Sequence, residues 1–183
     1  MNIFYLDANP KIAAEYHCDK HVCKMIVETA QLLSTAHRIL DPTSYVSNKV
    51  YKASYINHPM AVWTRESSEN YKYAYELYRA LLAEYTLRYS KVHRSGEIKD
   101  LLSQLPNGIA TGARTAIPQC MPDQYKVANN PVKAYQQYYV GEKARFAKWK
   151  SPRTVPYFMP NSSVIEKIDW RTMNYGNILQ NKK

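Results

Sequence analysis

Glycine is scarce in this chain: five occur in 183 residues, and none forms a loop able to cradle phosphates, so a nucleotide-driven enzyme is not expected. Cysteine is sparse too. Cys18, Cys23 and Cys120 are an odd number without framework spacing, which argues against a disulfide-stapled secreted protein. No run of about 18 apolar residues occurs, and no charged-then-apolar leader, so neither a membrane span nor a secretory signal is expected and the place of work reads as the cytoplasm. Acidic side chains are outnumbered, 15 against 25 lysines and arginines, which leaves a net charge of +10.

An apolar content of 45% is enough for one globular domain with a real core. The reading is an all-α, single compact domain over residues 1–183, with three main helices, long loops and a basic C-terminal tail. Asp7-Ala8-Asn9-Pro10 starts a short helix over Lys11 to Tyr16, and a long helix runs from Asp19 to Leu40, stopping before Asp41-Pro42. Asn57-His58-Pro59 opens a second long helix, expected as far as Tyr89, with Val62, Ala74, Leu77, Leu81 and Tyr85 inward and Arg65 near its start. A short helix is expected over Glu97 to Leu105, a long loop over Ile109 to Pro131, and a third main helix over Val132 to Trp149. Residues 151–183 read as an extended segment packing on the domain.

The charge is unevenly placed. Eleven basic residues and three acidic ones lie from Lys126 to Lys183, the footprint expected of a partner that is a polyanion, most often nucleic acid. Seventeen tyrosines, against three phenylalanines and three tryptophans, sharpen this. Tyr135, Tyr138, Tyr139, Phe146 and Trp149 are interleaved with Lys133, Lys143, Arg145, Lys148 and Lys150. Rings can stack on bases, and a tyrosine hydroxyl can reach phosphate, although helical spacing assigns at least half of these rings to packing.

On the long helix, His17, His21, Lys24, Glu28, Gln31 and Thr35 recur at spacings of three and four, opposite an apolar stripe of Val22, Ile26 and Leu33. Imidazole, amine and carboxylate on one face suggest a site, whereas an ordinary Lys24–Glu28 surface pair is the plain alternative. His17, Cys18, His21 and Cys23 are dense in metal ligands, but Cys23 points to another face and no second cluster follows downstream. No metal and no cofactor is therefore expected.

Met1, Ile3, Phe4, Asp7, Pro10, Cys18, His21 and Glu28 follow a pattern that resembles the pyrimidine-dimer DNA glycosylase family, the phage endonuclease V type. His58-Pro59 with Trp63, and the Tyr135 to Tyr139 segment, extend the resemblance over roughly residues 1–90 and 132–150. The chain is also similar to proteins of large tailed phages that share the Cys-Asp-Lys-His block and bring no known activity. The glycosylase resemblance implies an enzyme of an infected host cell in which an amine attacks the sugar C1′ and the base leaves. A Schiff base then precedes strand cleavage. Glu28 occupies the position of the catalytic glutamate, and His21 that of a histidine holding the flipped-out lesion or its DNA. His58, Arg65, Lys133, Tyr138, Tyr139, Lys143, Arg145, Lys148 and Lys150 then form the DNA-contacting set.

The departures fall on the nucleophile and its neighbours. The family's attacking amine is freed by removal of the initiator methionine, but residue 2 here is Asn, whose bulk leaves Met1 in place. An α-amine has a reference pKa of about 7.7–8.0 against about 10.4 for lysine, which favours a Met1 amine at neutral pH over the substitute, Lys24. The arginine before the family's glutamate is Val27, and the next basic position is Gln31. Two other classes stay open: a phage accessory module that binds nucleic acid or a host protein without catalysis, and an enzyme of phage base hypermodification.

Overall fold

Side-chain caps set most of the helix starts. Asn9 accepts the main-chain N–H of Lys11 at 2.9 Å and opens α1 (Pro10–Tyr16), with proline in the first turn where its missing N–H costs nothing. α2 (Asp19–Leu40) follows and ends before Pro42. Ser44 caps a short α3 (Tyr45–Lys49) inside the tyrosine-rich stretch. The computed structural model describes residues 1–160, and among them every regular element is helical and none is a strand.

The second long helix expected over 59–89 is two helices, α4 (Pro59–Glu66) and α5 (Ser68–Tyr89). Ser67 breaks it with extended backbone at φ −146° and ψ 158°. Its hydroxyl accepts the Asn70 N–H at 3.2 Å and donates to the Ala113 carbonyl at 2.9 Å. A serine that can bond its neighbours in this way offers the backbone an alternative to helix. The break turns α4, so Val62 is exposed, while Ala74, Leu77 and Leu81 on α5 are buried as expected.

α5 packs along α2 and also covers α1. Met25, Ile26, Leu32 and Leu33 of α2 pack in the core with Tyr71, Leu77, Tyr78 and Leu81 of α5, all buried. Through this core runs Ile3–Leu6, buried without regular structure. Beyond the very short α6 (Lys99–Leu102) lies the long loop, which contains a single 3-10 turn at Asp123–Tyr125. α7 (Pro131–Lys143) is capped by Asn130 and stops at Lys143 rather than at Trp149. Gly141 within it admits the Tyr125 ring: a Cβ there would lie 2.5 Å from that ring.

After α7 the chain turns back over the start of α2, where Asp19 N–H donates to the Lys148 carbonyl at 2.8 Å and the Trp149 indole to the Tyr16 carbonyl at 3.1 Å. Arg153 then pairs with Glu84 of α5 and Glu15 of α1. The rest of the expected C-terminal segment, with Lys167, Arg171, Lys182 and Lys183, lies outside the described residues. No helix among the described residues is long and apolar enough to cross a membrane.

Candidate active site and nucleic-acid face

Glu28 projects from the middle of α2 toward the first two residues of the chain. Its Oε2 accepts the Asn2 N–H at 2.8 Å and lies 3.9 Å from the Met1 ammonium nitrogen, while its Oε1 is 3.3 Å from Lys24 Nζ. Asn2 is held on every side. Its Nδ2 donates to the Cys120 carbonyl at 3.0 Å, and its Oδ1 accepts from Ile3 N–H at 2.9 Å and from the Tyr135 hydroxyl at 3.1 Å. Tyr135 is itself fully buried, and its one hydroxyl proton is shared between Asn2 Oδ1 and the Pro118 carbonyl 2.8 Å away. The Met1 side chain is 5% exposed and packs on the core, yet the residue as a whole is partly exposed. What faces solvent is its main chain, which carries the amine.

His58 caps α4 by accepting the Met60 N–H on Nδ1 at 3.1 Å. Burial and the nearby Met1 ammonium push its pKa below the usual value, and the Glu28 carboxylate opposes them. Met1, Glu28 and His58 therefore share one electrostatic neighbourhood. Arg65 of α4 instead donates to the Ile56 carbonyl at 2.7 Å.

His21 sits apart from the amine. Only 6% exposed, it stacks on Phe4 with centroids 4.6 Å apart and meets the edges of Tyr139 and Phe146. Its pKa is pushed down to about 3 by burial first, then by the charges of His17, Lys143 and Lys24. The ring is a neutral member of an aromatic stack. His17, fully buried, has its Nδ1 2.6 Å from the Ala13 carbonyl, and burial takes its pKa down to about 4. Gln31 and Thr35, the far end of the polar stripe, pin the following loop: Gln31 Nε2 donates to the Lys52 carbonyl, and Thr35 Oγ1 accepts the Ser54 N–H at 3.2 Å. Among the described residues no group of three or more His, Cys, Asp and Glu side chains could hold a metal ion.

The expected DNA-contacting residues divide. Tyr139 is fully buried and its hydroxyl accepts the Cys18 N–H at 2.8 Å, so as placed it offers no face to a ligand. Tyr138, half-buried, lies parallel to Phe4 at 6.0 Å, with Lys143 Nζ 4.7 Å over its ring. Arg145, exposed, lies over Phe146 at 5.8 Å; Lys20 of α2 reaches the same ring at 5.2 Å. Lys133, Lys148 and Lys150 are exposed, the last over Tyr89 at 5.4 Å. Lys24 joins this face to the amine: it pairs with Glu28, and its charge helps lower the pKa of Lys143, although burial is the larger cause. Cations held over ring faces present both charge for phosphate and apolar surface for bases.

Several members of this arrangement escape sequence reading. Asn2, Cys120 and Tyr135 meet across more than a hundred residues, a proximity without local signal. Phe4 and Lys20 belong to sequence motifs, but their stacking partners Tyr138 and Phe146 are set only by the fold. Compared with known protein families, curated proteins and solved structures, the chain matches none.

Proposed function

We propose that the chain is a distant relative of the pyrimidine-dimer DNA glycosylases, acting on duplex DNA in the cytoplasm of an infected cell, with α2, α5 and α7 as its main helices and its basic C-terminal residues aiding DNA binding. The Met1 amine is the nucleophile and Glu28 its carboxylate partner. One observation carries this reading: an α-amine 3.9 Å from a partly exposed carboxylate, on a residue whose side chain is packed away and whose neighbour Asn2 is clamped from four directions. Fixing a nucleophile in this way removes orientational entropy before substrate arrives. Lys24 is 67% exposed on a long stem and lacks that restraint.

The lone pair of the unprotonated amine forms the N–C1′ bond as the glycosidic bond breaks, and the base leaves with the electron pair. Glu28 stabilises the cationic sugar meanwhile. A proton then passes from the nitrogen to O4′ as the C1′–O4′ bond opens, giving the protonated Schiff base and a free 4′-hydroxyl. Glu28 then takes a proton from C2′, and the C3′–O bond breaks to cut the strand.

Borohydride trapping tests this, using duplexes that carry an abasic site, a pyrimidine dimer or a hydroxymethylated pyrimidine. The expected result is a covalent adduct on the N-terminal peptide, blocked by acetylation of the α-amine, with cleavage lowered about 10²–10⁴-fold in Glu28→Gln. A second reading, a non-catalytic nucleic-acid-binding accessory protein, is favoured by Lys24 lying closer to Glu28 than the amine does. Salt-dependent binding without any adduct would establish it in place of the first.

A further inference from the structure

The segment between α3 and α4 carries a feature that the amine site does not use. Tyr55 has φ +49°, a left-handed conformation that a bulky side chain rarely adopts, and it is 70% exposed; the adjoining Ile56 is 42% exposed. The tip is nevertheless firmly held. Gln31 and Thr35 of α2 bind the Lys52 and Ser54 main chain, Arg65 of α4 donates to the Ile56 carbonyl at 2.7 Å, and His58 N–H closes the turn onto the Tyr55 carbonyl at 2.9 Å. A strained backbone held this tightly, with its two apolar side chains left in water, stabilises nothing in the isolated molecule.

Position and charge indicate what it meets. Gln31, one turn beyond Glu28 on α2, holds the Lys52 carbonyl, and the His58 N–H closes the turn onto the Tyr55 carbonyl, so the tip lies on the Glu28 side of α2; the Met1 and Glu28 charges both act on His58. From Pro42 to Arg65 the chain contains no Asp or Glu, while Lys49, Lys52 and Arg65 are basic. An apolar tip in a strictly non-acidic setting suits the interior of a DNA stack reached between two phosphate backbones. Proteins that unstack DNA insert apolar wedges in this manner, and a base drawn out to meet an amine leaves a gap to fill.

We propose that Tyr55 and Ile56 form a wedge that enters the duplex at the nucleotide presented to Glu28 and holds the neighbouring bases apart; this rests on the glycosylase reading above. The wedge is an element of substrate engagement and takes no part in bond making.

The test compares wild type, Tyr55→Gly and Tyr55→Phe on a duplex with 2-aminopurine beside an abasic site, reading fluorescence on binding and borohydride adduct in the same sample. Glycine accepts φ +49° without strain, so Tyr55→Gly keeps the fold, checked by thermal unfolding. Expected are a fluorescence rise with wild type and Tyr55→Phe that is lost in Tyr55→Gly, an adduct reduced about tenfold on duplex, and an adduct within about twofold of wild type on a single-stranded abasic oligonucleotide. Equal fluorescence from wild type and Tyr55→Gly overturns the wedge even if adducts form, and leaves the lyase reading standing. A Tyr55-dependent fluorescence rise with no adduct removes the lyase reading and leaves the wedge.

Discussion

Two carboxylates, Glu28 and Glu84, each face two cations and tie distant parts of the chain together, and the contrast between them separates a site from a strut. Glu84 is 6% exposed and Arg88 fully buried. Arg88 spends all five N–H groups, on Glu84 twice at 3.0 and 2.9 Å, on Asp19 at 3.1 Å, and on the carbonyls of His17 and Glu15 at 2.8 and 3.0 Å. Arg153 adds hydrogen bonds from the other side. Every N–H of Arg88 is therefore spent within the protein. Around Glu28 the pairs are longer, 3.3 and 3.9 Å, one cation is mostly exposed, and among the described residues the Met1 ammonium makes one loose ion pair. Saturated, buried charge holds a fold together; unsaturated charge at the surface is free to meet a substrate.

The sharpest way to break this comparison is to remove one member from each cluster. Arg88→Met leaves Glu84 and Asp19 short of a partner at the junction of α1, α2 and α5, and should cost about 3–5 kcal/mol of stability in urea unfolding. Glu28→Gln should cost less than about 1 kcal/mol, because its pairs are partly exposed, while lowering strand cleavage about 10²–10⁴-fold. Similar stability losses from the two variants would erase the distinction.

Acid gives the next largest effect. His17 and His21 have folded-state pKa values of about 4 and about 3, both lowered chiefly by burial, against about 6.5 when unfolded. The unfolded chain therefore binds more protons in this window, so stability is fully present above pH 6.5 and is lost as pH falls through it toward 4. Unfolding free energy should drop by about 2–4 kcal/mol between pH 7 and pH 5, and His21→Phe should flatten that slope. An unchanged denaturation midpoint over this range would contradict the buried neutral pair.

Smaller effects sharpen the surface side. Replacing Lys143 or Arg145 with alanine should each reduce the salt slope of duplex binding by about 0.9 if each meets one phosphate. Tyr139→Phe should leave that slope unchanged and lower stability by about 1 kcal/mol through the lost bond to Cys18 N–H. Tyr55→Gly should raise stability by about 0.5–1 kcal/mol on thermal melting, as strain is relieved.

Helix starts at Asn9, Ser44, His58 and Asn130 are local events, in which a side chain two or three residues away satisfies an orphan N–H. The Asn9-Pro10 start stands out in the sequence, as does the extent of α2; at 57–59 the cap-type residue in the sequence is Asn57, but His58 takes that place. Ser67 was just as local, yet without Gly or Pro beside it the helical pattern ran on unbroken; its outward bond to Ala113 decides the break. The early end of α7 follows from contacts of Lys148 and Trp149 with the start of α2, which helical periodicity cannot register. Likewise, the polar stripe of α2 is visible as a pattern, but it serves three purposes. His21 is buried in an aromatic stack, Lys24 and Glu28 meet the α-amine, and Gln31 and Thr35 anchor the loop that ends at Tyr55.

The sequence by itself determined the helical class, the long α2 with Lys24 and Glu28 one turn apart, and the basic, tyrosine-rich character of residues 131–150, because these depend on periodicity and composition along a single stretch. Only the tertiary structure decided that Met1 and Asn2 come to Glu28, that Tyr139 is closed off while Tyr138 is not, and that Glu84 rather than Glu28 carries the buried charge. Those outcomes depend on which segments exclude water from one another, and burial is a property of the packed chain, not of any window within it.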